Sequence, residues 1–196
     1  NKGVQSLIKS MSYLDNDKFE LHIIGDGSLR KELENYANEL NLKSIFFQGR
    51  VKDAWSEMIN FDVMVIPSIR EPLGNVIIEA ALQRVPVVAS KVDGIIEIVC
   101  DKFSGIVITP SSDVDERFVS TSVPLPEYVV DVENEKLLKP MQLDALKLSE
   151  AILYLSKNKS IANAYSEKLY DAVINKFHID KYHSALFHEY EKMIRS

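Results

Sequence analysis

The stretch "DVMVIPSIREPLGNVIIEAALQRVPVVAS" (62–90) predicts a strand, a helix and a second strand in immediate succession. Its two ends, residues 62–67 and 85–90, are short and almost continuously apolar, which is typical of parallel strands covered on both faces. Between them, residues 74–84 have helical spacing in spite of several β-branched side chains. The stretch therefore predicts two parallel strands joined by a helix.

The same alternation of helix and strand continues on both sides of this unit. The flanking segments are helices at 3–14, 28–42, 53–61 and 94–100, and strands at 19–25, 44–49 and 104–109. Ser28 and Asp53 stand where the caps of two of these helices are expected. The pattern predicts an α/β fold, a parallel sheet with helices on both faces, over about residues 1–109.

Beyond this core the chain changes character twice. Residues 110–141 lose periodicity and gather Pro, Ser and acidic residues, which predicts an irregular surface excursion. Such a long loop is either a family-specific decoration or a functional lid, and the sequence leaves both open. Residues 142–196 contain three amphipathic helices. We expect the whole of 1–196 to form a single domain.

Composition narrows the class of function. The net charge of −6 and the lack of a basic run argue against nucleic acid as a partner. The single cysteine, Cys100, cannot form an internal disulfide and has no metal-ligand spacing, so we expect a small core residue, a cytoplasmic location and no metal site. No apolar run reaches about 18 residues, which predicts no membrane-spanning helix.

Two glutamates flank the glycine turn of the opening stretch. Glu71 lies in the loop after the first strand, and Glu79 lies within the mostly apolar helix that starts near Gly74. The free N–H groups of that helix start favour an anion such as phosphate, and a carboxylate on the same side could bind the two hydroxyls of a ribose. Burying a carboxylate without partners is costly, so Glu79 needs a ligand or a protein donor. The alternative is a solvated Glu71 and a Glu79 that caps a backbone amide.

A family resemblance favours the ligand. The segment "PSIREPLGNVIIEAALQRVPVVASKVDGIIEIV" (67–99), together with "HIIGDGSLRKELE", "FFQGRV" and "SGIVI", resembles the retaining nucleotide-sugar glycosyltransferases of family 4, which have the GT-B fold. The likeness is close over about residues 2–109 and loose in the C-terminal helices. It implies a Rossmann-like domain that binds a nucleotide diphosphate sugar, and an enzyme of polysaccharide or lipopolysaccharide biosynthesis.

The resemblance assigns catalytic roles to two residues. Glu71 resembles the glutamate that contacts the transferred sugar and favours the positive charge developing at its anomeric carbon. Lys2 resembles the lysine that clamps the diphosphate and stabilises the leaving nucleotide diphosphate. A lysine in this position replaces the cation that other transferases need, so neither a metal nor another cofactor is expected.

Further residues resemble those that bind the donor. Glu79 corresponds to the glutamate that holds the ribose hydroxyls, and the backbone of Gly74, Asn75 and Val76 to the segment that holds phosphate and sugar hydroxyls. The positions that line the nucleotide base and its pocket in the family correspond to Arg50, Val51 and Gly25.

The resemblance also predicts what this chain lacks. In the GT-B fold an N-terminal domain binds the acceptor, and we expect that domain, together with a strand carrying an arginine partner of Lys2, to precede Asn1. Loss of that central strand would leave neighbouring backbone groups unpaired. We therefore expect donor binding without transfer by this chain alone, and peripheral membrane contact, if any, at the inner face through the other domain. The alternatives are a non-catalytic sugar-nucleotide-binding module and a sugar-nucleotide hydrolase or epimerase; base, sugar and acceptor stay open.

Overall fold

The computed structural model describes residues 2–177 and 179–195 as an α/β structure with a C-terminal group of helices. Five parallel strands come first and a short hairpin follows. The strands are β1 (Leu21–Ile24), β2 (Ile45–Gly49), β3 (Met64–Ile66), β4 (Val87–Ser90), β5 (Ile106–Ile108), β6 (Val129–Asp131) and β7 (Lys136–Leu138). The α-helices are α1 (Val4–Met11), α2 (Arg30–Glu39), α3 (Ala54–Met58), α4 (Asn75–Leu82), α5 (Ala145–Lys157), α6 (Lys159–Lys176) and α7 (Ile179–Arg195).

The strand β4 is the centre of the main sheet. It pairs in parallel with β3 on one edge and with β5 on the other, so that Val88 lies opposite both Val65 and Ile106. All four residues of β4 are buried, as the continuous apolar run of the sequence predicts. The predicted strand–helix–strand unit is therefore present as β3, α4 and β4.

Helices cover both faces of this sheet. Because side chains alternate along a strand, Val87 and Ala89 pack into a core with α4 and α6, while Val88 packs into a second core with α1 and α5. The predicted fold class, a Rossmann-like α/β arrangement with helices on both faces and C-terminal helices, is confirmed.

The parallel strands form two sheets instead of one. Within the described residues β1 pairs with β2 and the other three parallel strands pair together, with no bonded pairing between β1 and β3. All four residues of β1 are half-buried, in contrast to β4. The expectation that a central strand precedes Asn1 stays a prediction, because that segment lies outside the described residues.

The excursion at 110–141 is more ordered than its composition predicts. It contains a 3₁₀ turn, Glu116–Phe118, and the antiparallel hairpin β6–β7. The carboxylate of Asp131 accepts hydrogen bonds from the backbone and side-chain nitrogens of Asn134 and so shapes the hairpin loop. Strands of three residues are too short to show a period of two, which explains why the sequence pattern did not reveal them.

Three local predictions have different outcomes. Asp53 caps α3, with its carboxylate accepting from the N–H of Ser56 at 3.2 Å. Ser28 does not cap a helix, because α2 begins later, at Arg30, and its hydroxyl contacts that of Ser120 at 3.0 Å. Cys100 is exposed, so the expectation of a small core residue is wrong. It lies in the turn between the 3₁₀ helix Asp93–Glu97 and β5, where its N–H donates to the Ser104 hydroxyl.

None of the helices in residues 2–177 and 179–195 combines the length and apolar character needed to cross a bilayer.

Two leucines on α5 provide a direct test of the packing of the second core. Leu148 is fully buried against the sheet, whereas Leu146, two residues earlier on the same helix, is 49% exposed. Leu148→Ala leaves a cavity and should lower the free energy of unfolding by about 2–5 kcal/mol. The matched control Leu146→Ala should change it by no more than about 0.5 kcal/mol. Urea denaturation followed by circular dichroism measures both, and equal effects of the two variants would contradict this packing.

Candidate functional site

The candidate site lies where β3 ends and α4 begins. The loop from Pro67 to Gly74 makes this connection, and Gly74 takes φ 90° as the residue before the helix. This left-handed conformation suits glycine and lets the chain turn sharply into α4. Asn75 and Val76, the first two helical residues, are exposed, so the helix start with its unpaired N–H groups faces solvent.

Lys2 and Glu71 are brought together in this loop. The Lys2 ammonium donates to Glu71 Oε2 in an ion pair that joins residues 69 positions apart. The Lys2 side chain is 65% exposed, but that of Glu71 is only 12% exposed. Ser68 Oγ also donates to Glu71 Oε2, at 3.1 Å. The two residues assigned catalytic roles from the sequence therefore share one site, at the carboxyl end of β3.

Two glycines fix the backbone of the loop from opposite ends. A Cβ at Gly3 would lie 1.9 Å from the carbonyl oxygen of Pro67, and a Cβ at Gly94 would lie 2.1 Å from that of Pro72. Neither distance allows a side chain, so any other residue would force the backbone apart. The start of α1 and the turn after β4 thus hold the loop in contact with their own main chains.

Asp93 is a site residue that the sequence analysis did not identify. It begins the 3₁₀ helix Asp93–Glu97 after β4, and its Oδ2 accepts the backbone N–H of Glu71 at 3.0 Å. Its Oδ1 accepts the backbone N–H of Val130, in β6, at 2.9 Å. The available signal was its position, because polar residues just beyond the carboxyl end of a parallel strand lie where α/β proteins bind ligands.

Glu79 is half-buried on α4, one turn beyond the helix start. Its carboxylate accepts no hydrogen bond and forms no ion pair with the described residues. The alternative in which Glu79 caps a neighbouring backbone amide is therefore not seen. The side chain is not fully buried either, because part of it reaches solvent. The carboxylate therefore avoids the high cost of complete burial without a partner. This exposed part can bind a ligand.

The remaining predicted donor-binding residues follow the strands of the smaller sheet. Gly25 comes directly after β1, with φ 127°, and donates its N–H to the carbonyl of Gly49 at 2.7 Å. Arg50 and Val51 come directly after β2; Arg50 is exposed and Val51 half-buried. All three lie at carboxyl ends of parallel strands, the edge on which ligands bind in such folds.

Within residues 2–177 and 179–195, no group of three or more His, Cys, Asp or Glu side chains is arranged to hold a metal ion. The expectation that the reaction uses no metal stays a prediction.

Comparison with known proteins gives this geometry a family context. The family model described as "Glycosyl transferases group 1" matches residues 1–117. Among curated proteins, an uncharacterized glycosyltransferase of Methanocaldococcus jannaschii, MJ1178, is 29% identical over 171 residues, covering 85% of this chain and 45% of that protein. The lipopolysaccharide core biosynthesis glycosyltransferase LpsD of Rhizobium meliloti is 35% identical over 94 residues, covering 47% of this chain and 27% of that protein.

Comparison with solved structures confirms the fold. The crystal structure of Anabaena Alr3699/HepE in complex with UDP-glucose has a TM-score of 0.75 and 20% sequence identity to this chain. The match covers 97% of this chain and 45% of the Anabaena protein. The chain thus spans less than half the length of these relatives.

The close approach of Gly94 to Pro72 can be tested by adding one methyl group. Gly94→Ala should lower the free energy of unfolding by about 1–3 kcal/mol, because its Cβ meets backbone that cannot move aside freely. Gly27→Ala is the matched control, since a Cβ there meets nothing within 4 Å. It should leave stability unchanged or raise it by up to about 1 kcal/mol. Chemical denaturation measures both; a neutral Gly94→Ala would argue against a fixed loop.

Proposed function

The chain belongs to the glycosyl transferases group 1 family, and from this premise we propose that it is the donor-binding domain of a retaining glycosyltransferase of family 4. The protein transfers a sugar from a nucleotide diphosphate sugar to a glycan or lipid-linked acceptor. A further N-terminal domain, of the kind found in GT-B enzymes, binds the acceptor.

One observation carries the proposal. A cation, a carboxylate and an exposed helix start meet at the carboxyl end of β3. The carboxylate of Glu79 lies further along the same helix, with no partner among the residues that the structure describes. A nucleotide diphosphate sugar presents matching groups in order: ribose hydroxyls, a diphosphate, and a sugar. Glu79 would accept from the ribose hydroxyls, and the start of α4 with Lys2 would bind the diphosphate.

The reacting end of the donor would lie beside Glu71. When the bond between the anomeric carbon and the phosphate oxygen breaks, positive charge develops on the sugar and negative charge on the leaving diphosphate. The carboxylate of Glu71 stabilises the first charge, and the ammonium of Lys2 stabilises the second. In a retaining reaction the acceptor oxygen forms its new bond on the face that the phosphate leaves.

Binding of the donor requires Lys2 to change partners. In the structure its ammonium contacts Glu71, whereas the proposed role places it against the diphosphate. The exposed Lys2 chain can make this change easily, and Glu71 keeps the hydroxyl of Ser68 as a donor. The carboxylate would then be available to the sugar, with its position still set by the loop.

The comparisons support this choice of substrate class. A structural neighbour from Anabaena was crystallised with UDP-glucose, and one curated relative is named for lipopolysaccharide core biosynthesis. We infer a UDP-sugar as the first donor to test and a growing polysaccharide or lipopolysaccharide as the acceptor. The reaction needs no bound metal, takes place in the cytoplasm, and reaches membrane-bound acceptors through the other domain.

Donor binding can be measured directly on this chain. Isothermal titration calorimetry with UDP-glucose, GDP-mannose and ADP-glucose should reveal binding of at least one of them. Glu79→Ala should weaken it by about tenfold or more, because hydrogen bonds to a charged group are lost. Glu150→Ala, which removes an exposed carboxylate on α5, is the control and should bind like the wild type. Wild-type chain that binds none of the sugar nucleotides, or Glu79→Ala that binds equally well, would overturn the proposal.

Transfer should depend on the rest of the protein. We expect this chain alone to bind donor without turnover, and the full-length protein to release nucleotide diphosphate only when an acceptor is present. The anomeric configuration of the product, read from proton NMR couplings, should match that of the donor. Release of free sugar without acceptor would instead indicate a hydrolase, and an inverted product would contradict the retaining assignment.

A further inference from the structure

We propose that Asp93 is a positioning residue that connects the β6–β7 hairpin to the loop of Glu71, so that this hairpin determines how firmly the sugar of the donor is held. The inference rests on the proposed function, because it assigns the hairpin to the same site. It also gives a role to part of the excursion at 110–141, which the sequence left open between decoration and lid.

The two oxygens of Asp93 have two different partners. Oδ2 accepts the N–H of Glu71 at 3.0 Å, and Oδ1 accepts the N–H of Val130 at 2.9 Å. Both donors are backbone groups, so the carboxylate fixes main chain on each side. Hydrogen bonds from backbone N–H to an ionised carboxylate are among the stronger ones in proteins. One side chain therefore joins the catalytic loop to a hairpin far away in sequence.

The backbone at Asp93 leaves this side chain little freedom. Its φ is 43°, in the left-handed region that disfavours side-chain-bearing residues other than Asn, Asp and His. Such a conformation persists where the surroundings determine it. The next residue, Gly94, lies against the carbonyl of Pro72 without room for a Cβ. Asp93 is thus held between the loop on one side and the hairpin on the other.

The hairpin is tied to the same turn at a second point. Lys91, the first residue after β4, donates to Glu133 in the hairpin loop at 2.5 Å, and this contact raises the pKa of Lys91. A cavity of about 260 Å³ remains between the hairpin and the ends of β4 and β5, lined in part by Lys91, Asp93, Asp131 and Asn134. Both polar residues that flank Val92 therefore face the hairpin, and neither is used by the proposed reaction.

This arrangement predicts that Asp93 and the hairpin affect binding of the donor's sugar but not binding of its nucleotide. The N–H of Glu71 donates to Asp93, while the carboxylate of Glu71 is the group that contacts the sugar in the proposed function. The start of α4 and Glu79, which bind phosphate and ribose in the proposal, make no hydrogen bond with Asp93. Loosening the hairpin should therefore weaken binding of the sugar moiety alone.

The test uses two variants that break the connection from opposite sides. Asp93→Asn keeps a residue that tolerates a positive φ, but its amide nitrogen cannot accept a backbone N–H. Val130→Pro removes the donor on β6; this N–H points toward Asp93 and not toward β7, so the hairpin pairing keeps its hydrogen bonds. The control is Asp113→Asn, an exposed carboxylate in the excursion that pairs with Lys139.

Calorimetry with UDP-glucose and with UDP compares the two parts of the donor. Both connecting variants should bind UDP-glucose about tenfold more weakly and UDP within about twofold of the wild type, while Asp113→Asn should bind both normally. If the wild type prefers another base, the corresponding pair of nucleotide and sugar nucleotide replaces them. Equal losses for both ligands, or no loss for either, would overturn the positioning role.

Hydrogen exchange separates this inference from the proposed function. In the chain without ligand, Val130→Pro should speed exchange of the Glu71 amide several-fold over the wild type, because Asp93 loses its second partner. Unchanged exchange in Val130→Pro would refute the connection even if donors bind. If the wild type binds no sugar nucleotide but exchange responds as expected, the connection stands and the proposed substrate is wrong.

Discussion

The close approach of three backbone segments is the constraint on which the candidate site depends. Gly3 and Gly94 touch the carbonyls of Pro67 and Pro72 at distances that admit no side chain. The loop between β3 and α4 therefore takes its position from main-chain contacts, which cannot adjust as side chains can. The position of Glu71 is set in the same way, and its contacts to Lys2 and Ser68 follow from where the loop is held.

The buried sheet determines where that loop begins. Because β4 is paired on both edges and covered on both faces, the carboxyl ends of β3 and β4 are fixed next to each other. The loop that carries Glu71 follows one strand, and the turn that carries Asp93 follows the other. Parallel pairing places these two turns at one edge of the sheet, and there the carboxylate of Asp93 accepts the N–H of Glu71. The apolar core thus determines which polar residues can meet.

The sequence predicted those parts of this arrangement that produce a local pattern of apolar residues. The continuous apolar runs of β3 and β4 and the helical spacing of α4 were sufficient to place Glu71 and Gly74 correctly. The ion pair of Lys2 with Glu71 joins distant residues and left no local pattern; only the family resemblance suggested that Lys2 belonged to the site. The role of Asp93 and the β6–β7 hairpin were missed, because three-residue strands show no period and a long-range carboxylate bond has no sequence signature.

The ion pair between Lys2 and Glu71 has to be broken when a donor binds in the proposed way. The Lys2 side chain is 65% exposed, so in the proposed function its ammonium can move from Glu71 to a diphosphate without leaving solvent. A diphosphate carries more charge than one carboxylate, and in the proposed function it would lie beside the start of α4, where helix N–H groups add to the attraction. Glu71 is the more buried partner, and Ser68 remains to bond it after Lys2 has moved. In the proposed function the pair therefore orients Glu71 before a donor binds, and the exposed Lys2 then moves to the diphosphate.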